Sequence, residues 1–227
     1  MAGVSGGVSR RNDARAIGRP KSDGEKVGEQ ALIEATCDLL KVMPPRKMTR
    51  AVVAREAGVD PSLIRYYFKN VDGLLIAAAA RISALYAERV QREMEQAGPD
   101  VTARIRVRIR SMLELLAEYP YFQRLIAENI LESKDTKPRE ILDNMLQRGV
   151  GSYAEMLAEG AEEGKVRPVD PQLLFFAVIG LAEFQVTAAS ILQRRAPGGP
   201  TDSKFEKEYK EFMCDLLMGS LLTDTER

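Results

Sequence analysis

Apolar residues recur at three- and four-residue steps through most of the chain, the spacing of helices that bury one face. The first run covers residues 25–42 through Leu32, Ala35 and Leu39, with Met43 just beyond. Pro44-Pro45 ends it, because proline disfavours helical backbone in the residue before it. Thr49 predicts an N-cap for a short helix over 51–57, and Gly58 breaks that helix. Asp60-Pro61 restarts the chain, with Asp as cap and Pro at the first helical position, where its missing N–H costs nothing. A second short helix runs to about Tyr67. Residues 69–73 then form a tight connection into a long helix, 72–96, which Gly98-Pro99 stops.

Residues 104–110 (Arg104-Ile105-Arg106-Val107-Arg108-Ile109-Arg110) alternate strictly, which is a strand signature. Ile105, Ile109, Met112 and Leu116 also share one helical face, with Arg104/Arg108 and Arg106/Arg110 flanking it. The continuation through 113–117 favours helix. Further helices are expected over 121–131, 139–163, 171–193 and 204–222, with a Pro/Gly loop over 195–203. No strand and no internal repeat is evident. The fold class is therefore all-α: an N-terminal three-helix helix-turn-helix domain followed by a C-terminal helical bundle. The expected divisions are a disordered basic arm over 1–23, a reading head over 24–71 and a body over 72–227. Residues 173–192 are long enough for a membrane span, but Glu183 and Gln185 stand at the centre, where charge is costly in lipid. An obligately buried interface helix explains the stretch better.

Composition narrows the function. The hydrophobic fraction of 45% and charged fraction of 29% in 227 residues suit an ordinary globular protein with a real core. Histidine is absent, which removes the commonest metal ligand and general base together. No phosphate-cradling Gly-rich loop or metal-ligand spacing is present either, so an enzyme, a metal site or a bound cofactor is not expected. Cys37 and Cys214 each lie in an amphipathic pattern and suit two buried thiols, although a disulfide remains open at this level. The N-terminus lacks a signal-peptide apolar core, so the expected location is the cytoplasm. The net charge of zero hides an asymmetry. Residues 1–69 hold 13 Lys and Arg against 8 Asp and Glu, and the remainder holds 20 against 25. A basic head on an acidic body fits a nucleic-acid partner.

The informative segment is 48–70. Val53, Ala54, Ala57, Val59, Ile64 and Phe68 can close a small core, which leaves Arg50, Ser62, Arg65, Tyr66, Tyr67 and Lys69 facing away. Donors, cations and aromatics suit a major-groove surface, where hydroxyls and Arg reach bases and phosphates. With Thr49, Pro61 and Leu63 these are the candidate DNA-binding residues. Arg19, within Gly18-Arg19-Pro20-Lys21, is a candidate for a minor-groove arm, and a merely solvated tail fits it equally.

This segment resembles the tetracycline-repressor (TetR) family. Thr49 opening the second helix, Ala57-Gly58-Val59 in the turn, Tyr67-Phe68 closing the recognition helix and Leu74-Leu75 carry the resemblance. Arg65 stands where the family usually has an aromatic, and Val71 where it has a lysine. Residues 159–168 look like the family's link into its dimerisation helices. The resemblance implies a homodimer on a palindromic double-stranded DNA operator. It further implies a transcriptional regulator, most readily a repressor, released by a small apolar or aromatic ligand held in the C-terminal domain. Candidate ligand residues are Met112, Leu116, Tyr119, Phe122, Met145, Tyr153 and Met156, since Met adapts its shape and Tyr offers a hydroxyl, with ordinary core packing open for each. The last two helices carry apolar stripes that a second copy would bury: Phe176, Gly180, Phe184 and Thr187 on one, Phe212 and Leu216 on the other. A helical ligand-binding or scaffold protein with no DNA role is the competing class. It predicts no salt-sensitive binding to duplex DNA.

Overall fold

A computed structural model describes residues 23–133, 135–195 and 203–224, with side chains described over 27–133, 135–184 and 207–224. Nine α-helices follow one another among these residues: α1 (Asp23–Val42), α2 (Arg50–Ala57), α3 (Ser62–Phe68), α4 (Val71–Ala97), α5 (Val101–Glu118), α6 (Phe122–Leu125), α7 (Thr136–Glu162), α8 (Pro171–Arg195) and α9 (Ser203–Leu221). A π-helical segment, Ile126–Leu131, extends α6. No helix is long and apolar enough to cross a membrane among the described residues.

The local chemistry accounts for the boundaries. The Thr49 hydroxyl accepts from the Val52 N–H at 3.3 Å and caps α2. Gly58 ends α2 in the left-handed conformation (φ 66°), which costs glycine little. Asp60 accepts from the Ser62 N–H at 2.7 Å, and the helical backbone starts one residue later than expected, with Pro61 in the cap position. Asn70 caps α4 by accepting from the Gly73 N–H at 2.8 Å, and Asp100 caps α5 through Thr102 and Ala103. The alternating stretch 104–110 lies wholly within α5. There Ile105, Ile109, Leu113 and Leu116 are buried at three- and four-residue steps, so the helical period prevails over the two-residue one.

One apolar core runs through the molecule. In the head, Leu32, Leu40, Val53, Ala54 and Ile64 pack on Leu74 and Ala78 of α4. Complete burial of a side chain such as Ile64 contributes about 1.5–3 kcal/mol. Beyond Ile82 the same helix enters the body and packs on α5, which also meets α7, α8 and α9. The linker after α7 is held to the chain's far end, where the Arg167 N–H donates to the Leu221 carbonyl at 2.8 Å and the Thr223 N–H to the Lys165 carbonyl at 3.0 Å. Cys37 and Cys214 are buried free thiols, and burial pushes Cys37 up to about 12.

Candidate functional site

The reading head presents α3 and the start of α2 on one surface. Thr49, Arg50, Pro61, Ser62, Arg65, Tyr66 and Lys69 are exposed, joined by Arg46, Lys47 and Arg55. No ion pair engages Arg46, Lys47, Arg50, Arg55, Arg65 or Lys69 among the described residues. Several of the body's cations are paired: Arg89 with Glu118 at 2.8 Å, Arg106 with Asp215 at 2.5 Å, Lys165 with Asp100 at 3.2 Å and Arg167 with Asp224 at 2.9 Å. The exposed cations of residues 46–69 lie close together along the chain, which raises the positive potential of this surface. Tyr66 is 62% exposed and meets the Tyr67 ring edge-on at 4.8 Å.

Leu63 and Tyr67 sit differently from expectation. Both are half-buried and face α1, where a Cβ at Gly28 would lie 3.3 Å from Leu63 Cδ1 and 3.9 Å from Tyr67. Their apolar bodies seat the recognition helix, because a helix packed against α1 turns part of its circumference inward. Arg19 lies outside the described residues.

The body contains a cavity of about 480 Å³ that opens to the surface beside Leu131 and Phe176, within the usual range for small-molecule sites of roughly 300–1,000 Å³. It lies among α4, α5, α6, α7, α8 and the π segment. Of the candidate ligand residues, Met112, Leu116, Phe122 and Met145 line it. Tyr119, Tyr153 and Met156 do not. Tyr119 lies at the end of α5 beneath Lys41 of α1, whose ammonium is 5.4 Å from the ring centre, so it belongs to the junction of head and body. Tyr153 and Met156 are buried in the core, and the Tyr153 hydroxyl has no hydrogen-bond partner among the described residues.

The sequence pattern missed Arg108, which the alternating run places on a helix flank. The structure buries it to 4% exposure at the cavity wall. Its guanidinium lies 5.2 Å from the Tyr86 ring centre and 4.9 Å from that of Tyr153, and it donates to the Tyr86 hydroxyl oxygen. A desolvated cation–π contact is worth on the order of 2 kcal/mol. Burial pushes the Tyr86 phenol up to about 12 against the opposing pull of Arg108, and Tyr153 is raised further, so both rings stay neutral. The signal available was the four-residue spacing of Arg108 between Arg104 and Met112, which allows it to face the cavity as readily as solvent.

Head and body are joined by polar contacts as well as by α4. Glu118 accepts from Arg89 at 2.8 Å and pairs with Lys41 of α1 at 3.6 Å. Asn129 of the π segment donates to Asp72, near the start of α4, at 3.1 Å. Burial works against ionisation of Glu118, but Arg89 and Lys41 outweigh it and hold the carboxyl below its usual 4.5. A lowered folded-state value means that the stabilisation is complete above about 4.5 and fades as the pH falls through the folded value. In thermal melts across acidic pH, Glu118→Gln is therefore expected to be less stable than the native protein at neutral pH and to converge with it in acid. A constant gap between the two curves would exclude this role for the carboxylate.

The short α2–Gly58–α3 unit on a helical body defines a helix-turn-helix regulator. The profile described as "Tetracyclin repressor-like, C-terminal domain" matches residues 99–226, more than half of the chain. The chain belongs to the TetR family of transcriptional regulators. It is 25% identical over 150 residues to "HTH-type transcriptional regulator RutR" of Escherichia coli K12, covering 66% of this chain and 69% of that one. The regulator FadR from Bacillus subtilis, solved with stearoyl-CoA, has the same fold, with a TM-score of 0.62 at 17% identity over 84% of this chain and 98% of its own. So does a putative regulator from Saccharomonospora viridis solved with choline, with a TM-score of 0.65 at 16% identity over 87% and 99%. These relatives are regulators, not enzymes.

Proposed function

We propose that the protein is a cytoplasmic, homodimeric repressor that binds a palindromic operator and leaves it when a small molecule with an apolar or aromatic body enters the cavity. The observation carrying the DNA-binding part is the set of unpaired, exposed cations gathered on one short stretch around α2 and α3, Arg46, Lys47, Arg50, Arg55, Arg65 and Lys69. Thr49, Arg50, Pro61, Ser62, Arg65, Tyr66 and Lys69 form the contact surface, with Leu63 and Tyr67 at its edge. The units are the head over 24–71, the body over 72–227 and a basic arm before them.

Release requires that ligand bind one conformation of the dimer better than another. Helix α4 supplies the lever. It lines the cavity through Tyr86, Val90 and Met94, and its first turn follows α3 after only Lys69 and Asn70. The Asn129–Asp72 hydrogen bond adds a second link from the cavity wall to that turn. Two recognition helices must stand about 34–36 Å apart to enter successive major grooves, so a small tilt of α4 removes half of the contacts.

Selection of bound fragments from random duplex DNA is expected to recover a palindrome. Affinity for it should fall steeply with salt, because phosphate neutralisation releases counterions. Arg50→Ala is expected to relax one position of the site at a cost of about 1–3 kcal/mol, whereas Arg65→Ala should weaken all sequences alike. Binding that barely responds to salt would refute the electrostatic reading, and specificity lost only in Arg65→Ala would reverse the two roles.

A further inference from the structure

We propose that the cavity takes an amphipathic carboxylate, with Arg108 seating its head and the apolar walls holding its body. This deepens, and rests on, the reading of the cavity as the effector site. The cavity's described lining includes two guanidiniums, Arg108 and Arg148, and no Asp or Glu. Arg108 is almost fully buried, and no carboxylate lies within ion-pair distance of it among the described residues. The nearby acid Glu93 accepts from the Ser111 hydroxyl at 2.6 Å and stands outside the lining. Tyr86 and Tyr153 offer ring faces to Arg108 and one hydroxyl oxygen, but no negative charge.

A buried cation is costly unless paired, and ring faces compensate it only in part. A ligand that brings an anion to Arg108 gains what a neutral ligand of the same shape cannot. The planar guanidinium fork also matches a carboxylate in two hydrogen bonds. A cationic ligand would meet two positive charges with no acid to receive it. The rest of the wall, including Met94, Met112, Leu116, Phe122 and Met145, is apolar and adaptable, which suits an aliphatic or aromatic body.

The test titrates the full-length protein with decanoate, decan-1-ol and decyltrimethylammonium by calorimetry at neutral pH. Decanoate is expected to bind at least about tenfold more tightly than the alcohol, with the cation weakest. Arg108→Gln should abolish the acid's advantage over the alcohol. Arg108→Lys, which keeps the charge without the fork, should retain part of the advantage and serves as the reporter if the Gln variant misfolds. Equal affinity for acid and alcohol in the native protein, or an undiminished acid preference in Arg108→Gln, would overturn the proposal and assign Arg108 to packing between its two rings. If alcohol and cation bind while the acid has no advantage, the charge inference alone is lost. If none of the three binds, the effector-site reading fails and takes this one with it. Acid binding that leaves operator affinity unchanged would refute release while leaving the carboxylate site standing.

Discussion

Phe176→Asp combined with Phe184→Asp is expected to give a folded monomer whose operator affinity is lower by about 10²–10⁴. Leu173, Phe176 and Phe184 of α8 and Phe212 and Leu216 of α9 are each 53–68% exposed, and Gly180 lies open between them. Large apolar side chains gathered on two neighbouring helices mark a surface that another chain covers. A second copy covering it would make a four-helix interface of like with like. Thr187 continues α8, with its side chain outside the described residues. Two carboxylates buried face to face would cost several kcal/mol, while each chain's own fold loses little, because both rings are more than half exposed, although Phe176 meets Phe175 edge-on at 5.6 Å at the cavity wall. Without the partner, the second half-site no longer binds as an intramolecular event, which removes an effective-concentration gain of the stated size. Light scattering gives the mass and a gel-shift titration the affinity. A stable dimer in the double variant would place the interface elsewhere.

Gly73→Ala is expected to destabilise the head by about 1–3 kcal/mol and to damage operator binding more than ligand binding. A Cβ at Gly73 would run into the carbonyl oxygen of Phe68, a backbone atom with no rotamer to escape by. The turn is already tight, since Lys69 holds a positive φ of 67° with ψ at −46°. Relief would have to come from shifting α3 against α4, which moves the recognition surface. Gly151→Ala in α7 is the matched control. Nothing lies within 4 Å of its Cβ position, so Ala there should be neutral or stabilising by roughly 0.5–1 kcal/mol. Chemical unfolding and gel shifts on the two variants separate the effects, and equal behaviour of both would show that the turn tolerates a side chain.

Most of the helical order was legible because its signals are local. Thr49 and Gly58 act on backbone groups three or four residues away, and Ile105, Ile109 and Met112 repeat at the helical period, whereas the caps at Asn70 and Asp100 emerge only in the structure. The cavity was legible only in part, because its wall is assembled from helices distant in sequence. Met112, Leu116, Phe122 and Met145 share it, but Tyr153, on the same helix as Met145, points into the core and Tyr119 falls at the head junction. Period identifies a face without saying whether that face meets a neighbour or a void. Arg108 shows the limit most clearly: charge argued for solvent, yet two tyrosine rings from α4 and α7 receive it. The π turn at 126–131 has no hydrophobic period of its own and read as ordinary helix.

The stacking of Arg108 between Tyr86 and Tyr153 also gives the molecule an optical property. The chain has no tryptophan and seven tyrosines, so its intrinsic ultraviolet emission comes from phenol rings alone. Two of those rings face one guanidinium, and a molecule that draws that group away changes their surroundings together. A ligand that reaches Arg108 is thus expected to change tyrosine emission, which would follow binding without a label.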